Sequence, residues 1–238
     1  MIGKIKAHLA EILIFAVVVS ILSIGTYSRN GLWQDAIGLW EDCVRKSPNK
    51  ARPYVNLGAA YVSAGAYDKA LDMCYKAIRL DPREAFAYYT LTLAFQKVGD
   101  LDEAIAMGKK SLEVDPTLFL AHYTLATIYF EKGEYEEAAG SFKKFLKVYP
   151  NFPNVHHLLA VVYVAQRNFD KAIEEFEREV RIDPYHALAH KNLGQIYWYE
   201  FRNRKKAIYH LKIALFLDPF LPERGKMRNL VRQLEESS

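Results

Sequence analysis

Histidine is the residue type in this chain best suited to hold a metal or move a proton. His122, His156 and His190 recur every 34 residues, His156 and His157 adjoin, and His186 and His190 are four apart. Two imidazoles four apart share one face of a helix and could grip zinc. Zinc, however, takes four donors at about 2 Å. Equivalent side chains in successive helical repeats stand roughly 10 Å apart, and no carboxylate or cysteine completes a set. The histidines are therefore expected to be packing residues, with no metal bound. Cys43 and Cys74 fall at core positions of neighbouring units and should be buried free thiols; a disulfide stays open if the chain is exported. No CxxC pair, phosphate loop or HExxH is present, nor any nucleophile with a base and an orienting group. Glu136-Glu137 and Glu174-Glu175 read as solvated helix faces. Neither an enzyme nor a cofactor is expected.

Positive charge gathers at Arg202, Arg204, Lys205 and Lys206, and continues through Lys212, Arg224, Lys226, Arg228 and Arg232. The basic turn 202–206 could meet an acidic partner. Nucleic acid is not expected, because the net charge is only +4 and no stacking platform beyond Phe201 accompanies the turn.

The elements that position these groups are written in a period. Prolines stand at Pro48, Pro82, Pro116, Pro150, Pro184 and Pro219, with steps of 34 residues and one step of 35. Ala36, Ala70, Ala104, Ala138, Ala172 and Ala207 keep the same beat, as do the aromatics Tyr27, Tyr61, Phe95, Tyr129, Tyr163 and Tyr197. In residues 51–84, Tyr54, Leu57, Gly58 and Tyr61 share one face of a first helix. Gly65 permits a turn. Ala70, Cys74, Ala77 and Ile78 share a face of a second helix, and Asp81-Pro82 ends it. Small Gly58 and Ala70 should let the two helices approach closely. A hairpin of this kind cannot bury its own face, so neighbours must stack.

This pattern resembles the tetratricopeptide repeat (TPR) family over about residues 26–220. The family's aromatic, Leu-Gly, Tyr, Ala, apolar, small and Pro positions are Tyr54, Leu57-Gly58, Tyr61, Ala70, Cys74, Ala77 and Pro82. Arg167-Asn168 departs from the pattern at a turn glycine, Gly108 replaces a bulky residue and predicts looser packing there, and residues 200–206 hold an insertion. The resemblance implies an all-α fold, a right-handed superhelical solenoid of helical hairpins. Residues 51–220 would form five repeats, and 221–238 a capping helix with a stripe of Leu221, Met227, Leu230, Val231 and Leu234.

TPR proteins bind peptides or helices along a concave groove lined by their first helices. The positions that the resemblance carries over as partner-binding are Phe86, Tyr89, Leu93, Tyr123, Phe130, Val161, Val164, Lys191, Gln195, Trp198 and Tyr199, with Val55 and His157 beside them. This groove is apolar and aromatic. The lysine- and arginine-lined clamp by which some family members hold a C-terminal carboxylate is not expected, since only Lys191 and Asn192 hint at it. An amphipathic helix or extended apolar segment of a partner protein suits the groove better. Trp198-Tyr199 is the leading candidate, because neighbours on a helix cannot both point inward.

The N-terminus poses a separate question. Residues 7–27 would cross about 30 Å of hydrocarbon as a helix. Lys4 and Lys6 precede them, so the N-terminus should stay cytoplasmic and the repeats face a periplasm or lumen. A cleavable signal peptide is the alternative, with Ser23-Ile24-Gly25 as the cut. Tyr27, Gly31, Trp33, Ala36, Trp40 and Pro48 already keep the repeat beat, so residues 33–46 should be the second helix of a partial first repeat, 17–50. Cleavage would remove most of its first helix, which favours a retained anchor, 1–27, running directly into the repeats. Tyr27-Ser28-Arg29-Asn30, Trp33, Leu39-Trp40 and Pro48-Asn49 also resemble the junction of membrane O-mannosyltransferase-type proteins that carry C-terminal TPR domains. That resemblance implies an acceptor-binding portion of, or relative to, a membrane O-glycosyltransferase. The leading expectation is a non-catalytic, membrane-anchored scaffold that assembles a membrane or envelope complex.

Overall fold

The computed structural model describes residues 35–221 and 223–236. Its described residues form twelve α-helices and no strand: α1 (Ala36–Lys46), α2 (Ala51–Ser63), α3 (Tyr67–Leu80), α4 (Ala85–Val98), α5 (Leu101–Val114), α6 (Phe119–Lys132), α7 (Tyr135–Val148), α8 (Val155–Ala165), α9 (Phe169–Ile182), α10 (Ala187–Tyr199), α11 (Arg204–Leu217) and α12 (Arg224–Glu236). Two compact units result, one ending at Asp100 and the other starting at Leu101. The expected anchor 7–27, the first helix 17–30 and Trp33 lie outside the described residues. Among the described residues no helix is long and apolar enough to cross a membrane. Of the expected helix 33–46 the described part is α1, Ala36–Lys46, whose N-terminus is capped by the Asp35 carboxylate accepting from the Ile37 N–H at 3.0 Å.

Within each unit, helices adjacent in sequence pack on each other, and α2 also touches α4. In the first unit, Tyr54, Val55, Ala77 and Ala87 form one apolar cluster, and Leu57, Tyr61, Ala70 and Ala94 a second on which half-buried Trp40 rests. In the second unit, Leu211, Ala214, Leu221, Met227 and Val231 close the C-terminal end under α12, with Leu230 packed against them. Four of the five residues of the expected stripe, Leu221, Met227, Leu230 and Val231, thus pack against α11.

The close approach expected at Gly58 is visible. A Cβ placed there would stand 2.7 Å from Cys74 Sγ and 3.3 Å from the Ala70 carbonyl oxygen. Gly194 is tighter still, at 2.6 Å from Leu211 Cγ. The turn after each first helix needs a left-handed residue. Gly99 (φ 91°) and Gly133 (φ 83°) supply it without steric cost; Arg167 (φ 56°) fills the same place with a side chain. The second helices α3, α5, α9 and α11 end on an aspartate whose Oδ1 accepts from the N–H two residues on, as Asp81 does from Arg83 at 2.9 Å and Asp183 from Tyr185 at 3.0 Å. Cys43 and Cys74 are free thiols. Cys74 is fully buried, and desolvation pushes its thiol up to about 12, so it is inert.

The periodic histidines have a structural task. In the first turn of a first helix, Tyr54 donates its hydroxyl to the Pro48 carbonyl at 3.1 Å, and Tyr88 donates to Pro82 at 3.3 Å. His156 Nε2 reaches Pro150 O at 2.8 Å, and His190 Nε2 reaches Pro184 O at 3.2 Å, so each ring N–H replaces a tyrosine hydroxyl. An imidazole brings a second nitrogen, which must also be satisfied. The second helix supplies its partner 19 or 20 residues on: Glu175 at 2.5 Å from His156 Nδ1, and His210 Nδ1 at 3.0 Å from His190 Nδ1.

Candidate partner-binding groove

The first helices α8 and α10 of the second unit enclose the most developed part of the expected groove. Val161, Val164, Phe169, Asn192, Gln195, Ile196, Tyr199 and Glu200 line a cleft of about 290 Å³. Four residues read from the sequence, Val161, Val164, Gln195 and Tyr199, are brought together here. Tyr199 is 55% exposed beside a floor of valines and Ile196. Glu200 and the two amides at the edge leave polar groups for the main chain of a bound segment. Such a surface buries an apolar side chain and fixes its direction with a few hydrogen bonds.

Other expected residues are placed differently. Trp198 does not line this cleft. It is half-buried, with the Arg202 guanidinium 5.2 Å from its ring centroid. Lys191 is half-buried and ion-paired to Glu223 at 3.7 Å. Tyr123 turns toward α7, with its ring 5.9 Å from Phe142 and 5.6 Å from Phe145. Phe130 packs on Tyr135 at 5.7 Å. In the first unit, Phe86 is partly exposed, touches Tyr89 edge to face at 6.5 Å and carries the Arg52 guanidinium at 5.3 Å; Leu93 is half-buried. Val55 and His157 are corrected from groove to core: they are 3% and 8% exposed. The reason is helical register, since a position one residue from the groove line already faces the second helix.

The basic turn is also partly committed. Lys206 Nζ donates to the Tyr197 hydroxyl at 3.0 Å, Arg204 donates to the Glu235 carbonyl at 3.1 Å, and Arg202 covers Trp198. Lys205 stays exposed beside a cleft of about 730 Å³ that it shares with Phe201, Arg202, Asn203, Arg204 and Ile208.

Sequence reading missed a buried polar system around α8. Pro153 delays this helix, which starts at Val155 behind Asn154 in the left-handed region (φ 68°). Its free amides are met by a distant carboxylate. Glu179, fully buried on α9, accepts from the Asn154 N–H at 2.9 Å and the His157 N–H at 3.2 Å. An anion at a helix N-terminus is favoured by the helix dipole. His157 stacks on His186 at 4.7 Å, its Nδ1 has no hydrogen-bond partner, and burial pushes it down to about 4. His210 is likewise pushed down to about 4, by burial first and His190 second. His156 is held above the ordinary histidine value by its bond to Glu175. Among the described residues, no cluster of three or more His, Cys, Asp or Glu is placed to hold a metal.

Family models described as tetratricopeptide repeat match residues 49–117 and, in overlapping copies, 89–155, 123–187 and 157–222. A PPR repeat model matches residues 24–47. No curated protein matches the chain. Among solved structures, YrrB, titled a TPR protein with an unusual peptide-binding site, superposes with a TM-score of 0.69 at 23% identity, covering 80% of this chain and 97% of that one. MamA from Desulfovibrio magneticus RS-1 gives 0.66 at 21% identity over 73% and 97% of the two chains. Another MamA structure gives 0.64 at 25% identity over 68% and 94%.

Proposed function

The chain belongs to the tetratricopeptide repeat family, and on that premise we propose that it is a non-catalytic scaffold that holds an apolar helix or extended segment of a partner protein. The observation that carries this is the cleft between α8 and α10, where two valines, Ile196 and exposed Tyr199 face one opening flanked by Asn192, Gln195 and Glu200. A structural neighbour, YrrB, is itself described as having a peptide-binding site, and the same use is proposed here. Residues 7–27 serve as a retained membrane anchor with the N-terminus cytoplasmic, and the repeats assemble a membrane or envelope complex in a periplasm or lumen. What supports the anchor is the apolar length of that segment and the basic residues before it. Lys205 and its neighbours in the basic turn provide a secondary contact for an acidic partner. The transferase-like junction falls mostly outside the described residues, and no structural feature adds to it.

The test is co-purification of the full-length chain from its native membrane in mild detergent, beside Tyr199→Ala and Val164→Glu. A stoichiometric partner held by the wild type and lost in both variants is the expected result. Truncating an anchoring aromatic costs at least about 2 kcal/mol of binding, roughly thirtyfold. A partner retained undiminished by both variants would refute the groove. A multi-span transferase recovered at one to one would replace the scaffold with the glycosylation reading.

A further inference from the structure

The opposite side of the second unit, between the second helices α7 and α9, carries a feature that no groove explains. Each beat tyrosine of the chain's described repeats has two second-helix positions to match it, 20 residues before it and eight or nine after. Tyr61 has Glu41 accepting from its hydroxyl at 2.8 Å and Lys69 over its ring. Tyr197 has Glu177 accepting at 2.7 Å and Lys206 over its ring. Tyr129 has Lys109 over its ring, and the later position is Glu137. Each of these steps pairs one acid with one base. Tyr163 breaks the rule: both positions are lysines, Lys143 at 5.4 Å and Lys171 at 5.7 Å from the ring centroid.

The two lysines stand at a cleft of about 470 Å³, with Leu146, Leu159, Tyr163 and Pro150 also in its lining and Lys147 and Arg178 beside them. A second cleft of about 460 Å³ shares His156 and Arg178 with the first and adds Arg181. Two carboxylates border the first cleft. Glu175 is buried and already accepts from His156 and Arg178, which leaves Glu174 against the excess of cations. Two lysines at one phenol ring, with no acid at either position, leave the cleft with an excess of positive charge.

We propose that this double cleft binds a short acidic segment of a partner protein, one carboxylate seated between Lys143 and Lys171 and a second near Arg178 and Arg181, with an apolar side chain against Leu159 and Tyr163. The excess of positive charge selects an acidic occupant, and the apolar lining selects a peptide over a bare ion. This surface is separate from the α8–α10 groove and stands without it.

The test uses the full-length chain in a non-ionic detergent and a fluorescein-labelled peptide, acetyl-Glu-Leu-Glu-Glu-Leu-Glu-amide, followed by anisotropy. The decisive variant is Lys143→Glu, which gives Tyr163 the Glu-and-Lys pair that Tyr61 and Tyr197 already have, so the fold should hold. Saturable binding is expected, weakened about tenfold or more by Lys143→Glu, weakened as salt rises from 0.1 to 1 M and the screening length falls from about 10 to about 3 Å, and unchanged by Tyr199→Ala. Equal binding by Lys143→Glu with an unaltered melting curve would overturn the proposal. So would equal binding of the peptide with glutamine in place of glutamate. Capture of anionic lipid vesicles, lost in Lys143→Glu while the peptide never binds, would overturn it in favour of a membrane surface.

Discussion

Glycine to alanine inside a helix should act with opposite sign at two sites of the second unit. Gly140 lies within α7 and Gly194 within α10. At Gly140 an added Cβ meets nothing within 4 Å. The substitution then gains only the helix propensity of alanine, about 1 kcal/mol, part of it from a stiffer unfolded chain. At Gly194 the same Cβ would stand 2.6 Å from Leu211 Cγ, 2.8 Å from Cδ2 and 3.1 Å from the Leu211 backbone nitrogen. Leu211 is fully buried among Ala214, Leu221 and Met227, so it cannot swing aside, and the backbone contact means α10 and α11 must separate. Overpacking of this kind costs about 1–3 kcal/mol. Three close atoms, one of them main chain, place Gly194→Ala near the upper end. After the propensity gain, the net loss is about 1–2 kcal/mol. For a chain of this length, 1 kcal/mol moves the melting temperature by roughly 2–4 °C. Urea and thermal unfolding followed by circular dichroism should therefore put Gly140→Ala a few degrees above wild type and Gly194→Ala a few degrees below. Gly194→Ala as stable as wild type, or both variants shifting the same way, would refute close helix contact as the reason for glycine at 194.

Arg167→Gly should raise stability by about 0.5–1 kcal/mol in the same unfolding assay, because Arg167 holds a left-handed conformation that Gly99 and Gly133 adopt freely. Acid should weaken the fold through the histidines. His157 and His210 sit near 4 against an ordinary 6.5, and His122 and His190 are also lowered, so the unfolded chain binds more protons; stability is full above pH 6.5 and falls as pH drops from there toward 4. His156 acts the other way, its raised value adding stability below pH 6.5 that is lost as pH rises through its folded value. His190→Tyr with His210→Met, which puts at these places the residues of the equivalent positions in the first unit, Tyr54 and the Met73 that packs against its cluster, should flatten part of the acid slope in melting temperature between pH 7 and 4.5 without lowering it at pH 7. Glu179→Gln should cost about 1–3 kcal/mol, since one amide of the α8 N-terminus then faces a donor; proteolysis near Asn151–Asn154, faster than wild type, would report it.

The hairpins were legible because their determinants are local. Asp-Pro stops, turn glycines and the 3–4 spacing of Tyr54, Leu57, Gly58 and Tyr61 act within a few residues of themselves. The Gly58 contact with Cys74 was also legible, since small residues facing each other across a hairpin have few other uses. Groove membership was only half legible. Val161, Val164, Gln195 and Tyr199 meet in one cleft, yet Val55 and His157, placed by the same rule, are core. A helix turns 100° per residue, so an error of one position crosses from groove to interior. The α8 cap was not legible, because Glu179 lies 25 residues from the amide it satisfies and buried glutamate is rare on a face otherwise read as solvated. The lysine pair at Tyr163 was written in plain offsets, but only the contacts at Tyr61 and Tyr197 show that those offsets face a ring.

The delayed start of α8 ties these features together. This helix presents Val161 and Val164 to the groove on one side, and His156, Leu159 and Tyr163 to the basic cleft on the other. Its axial position is set by Glu179 on α9, while the neighbouring Glu175 holds His156 and Arg178. Two carboxylates one turn apart on α9 therefore fix the helix that serves both surfaces. Buried charges contribute little net stability when well paired, but removing one partner is costly. Their retention here is better explained by placement: a helix held by charge-assisted bonds at its first turn keeps its groove residues and its cleft residues in one register. It follows that Glu179→Gln, which touches neither surface, should weaken both the partner held in the groove and the acidic peptide, whereas Tyr199→Ala and Lys143→Glu should each weaken only one. Equal and undiminished binding at both surfaces in Glu179→Gln would show that the α8 cap serves stability alone.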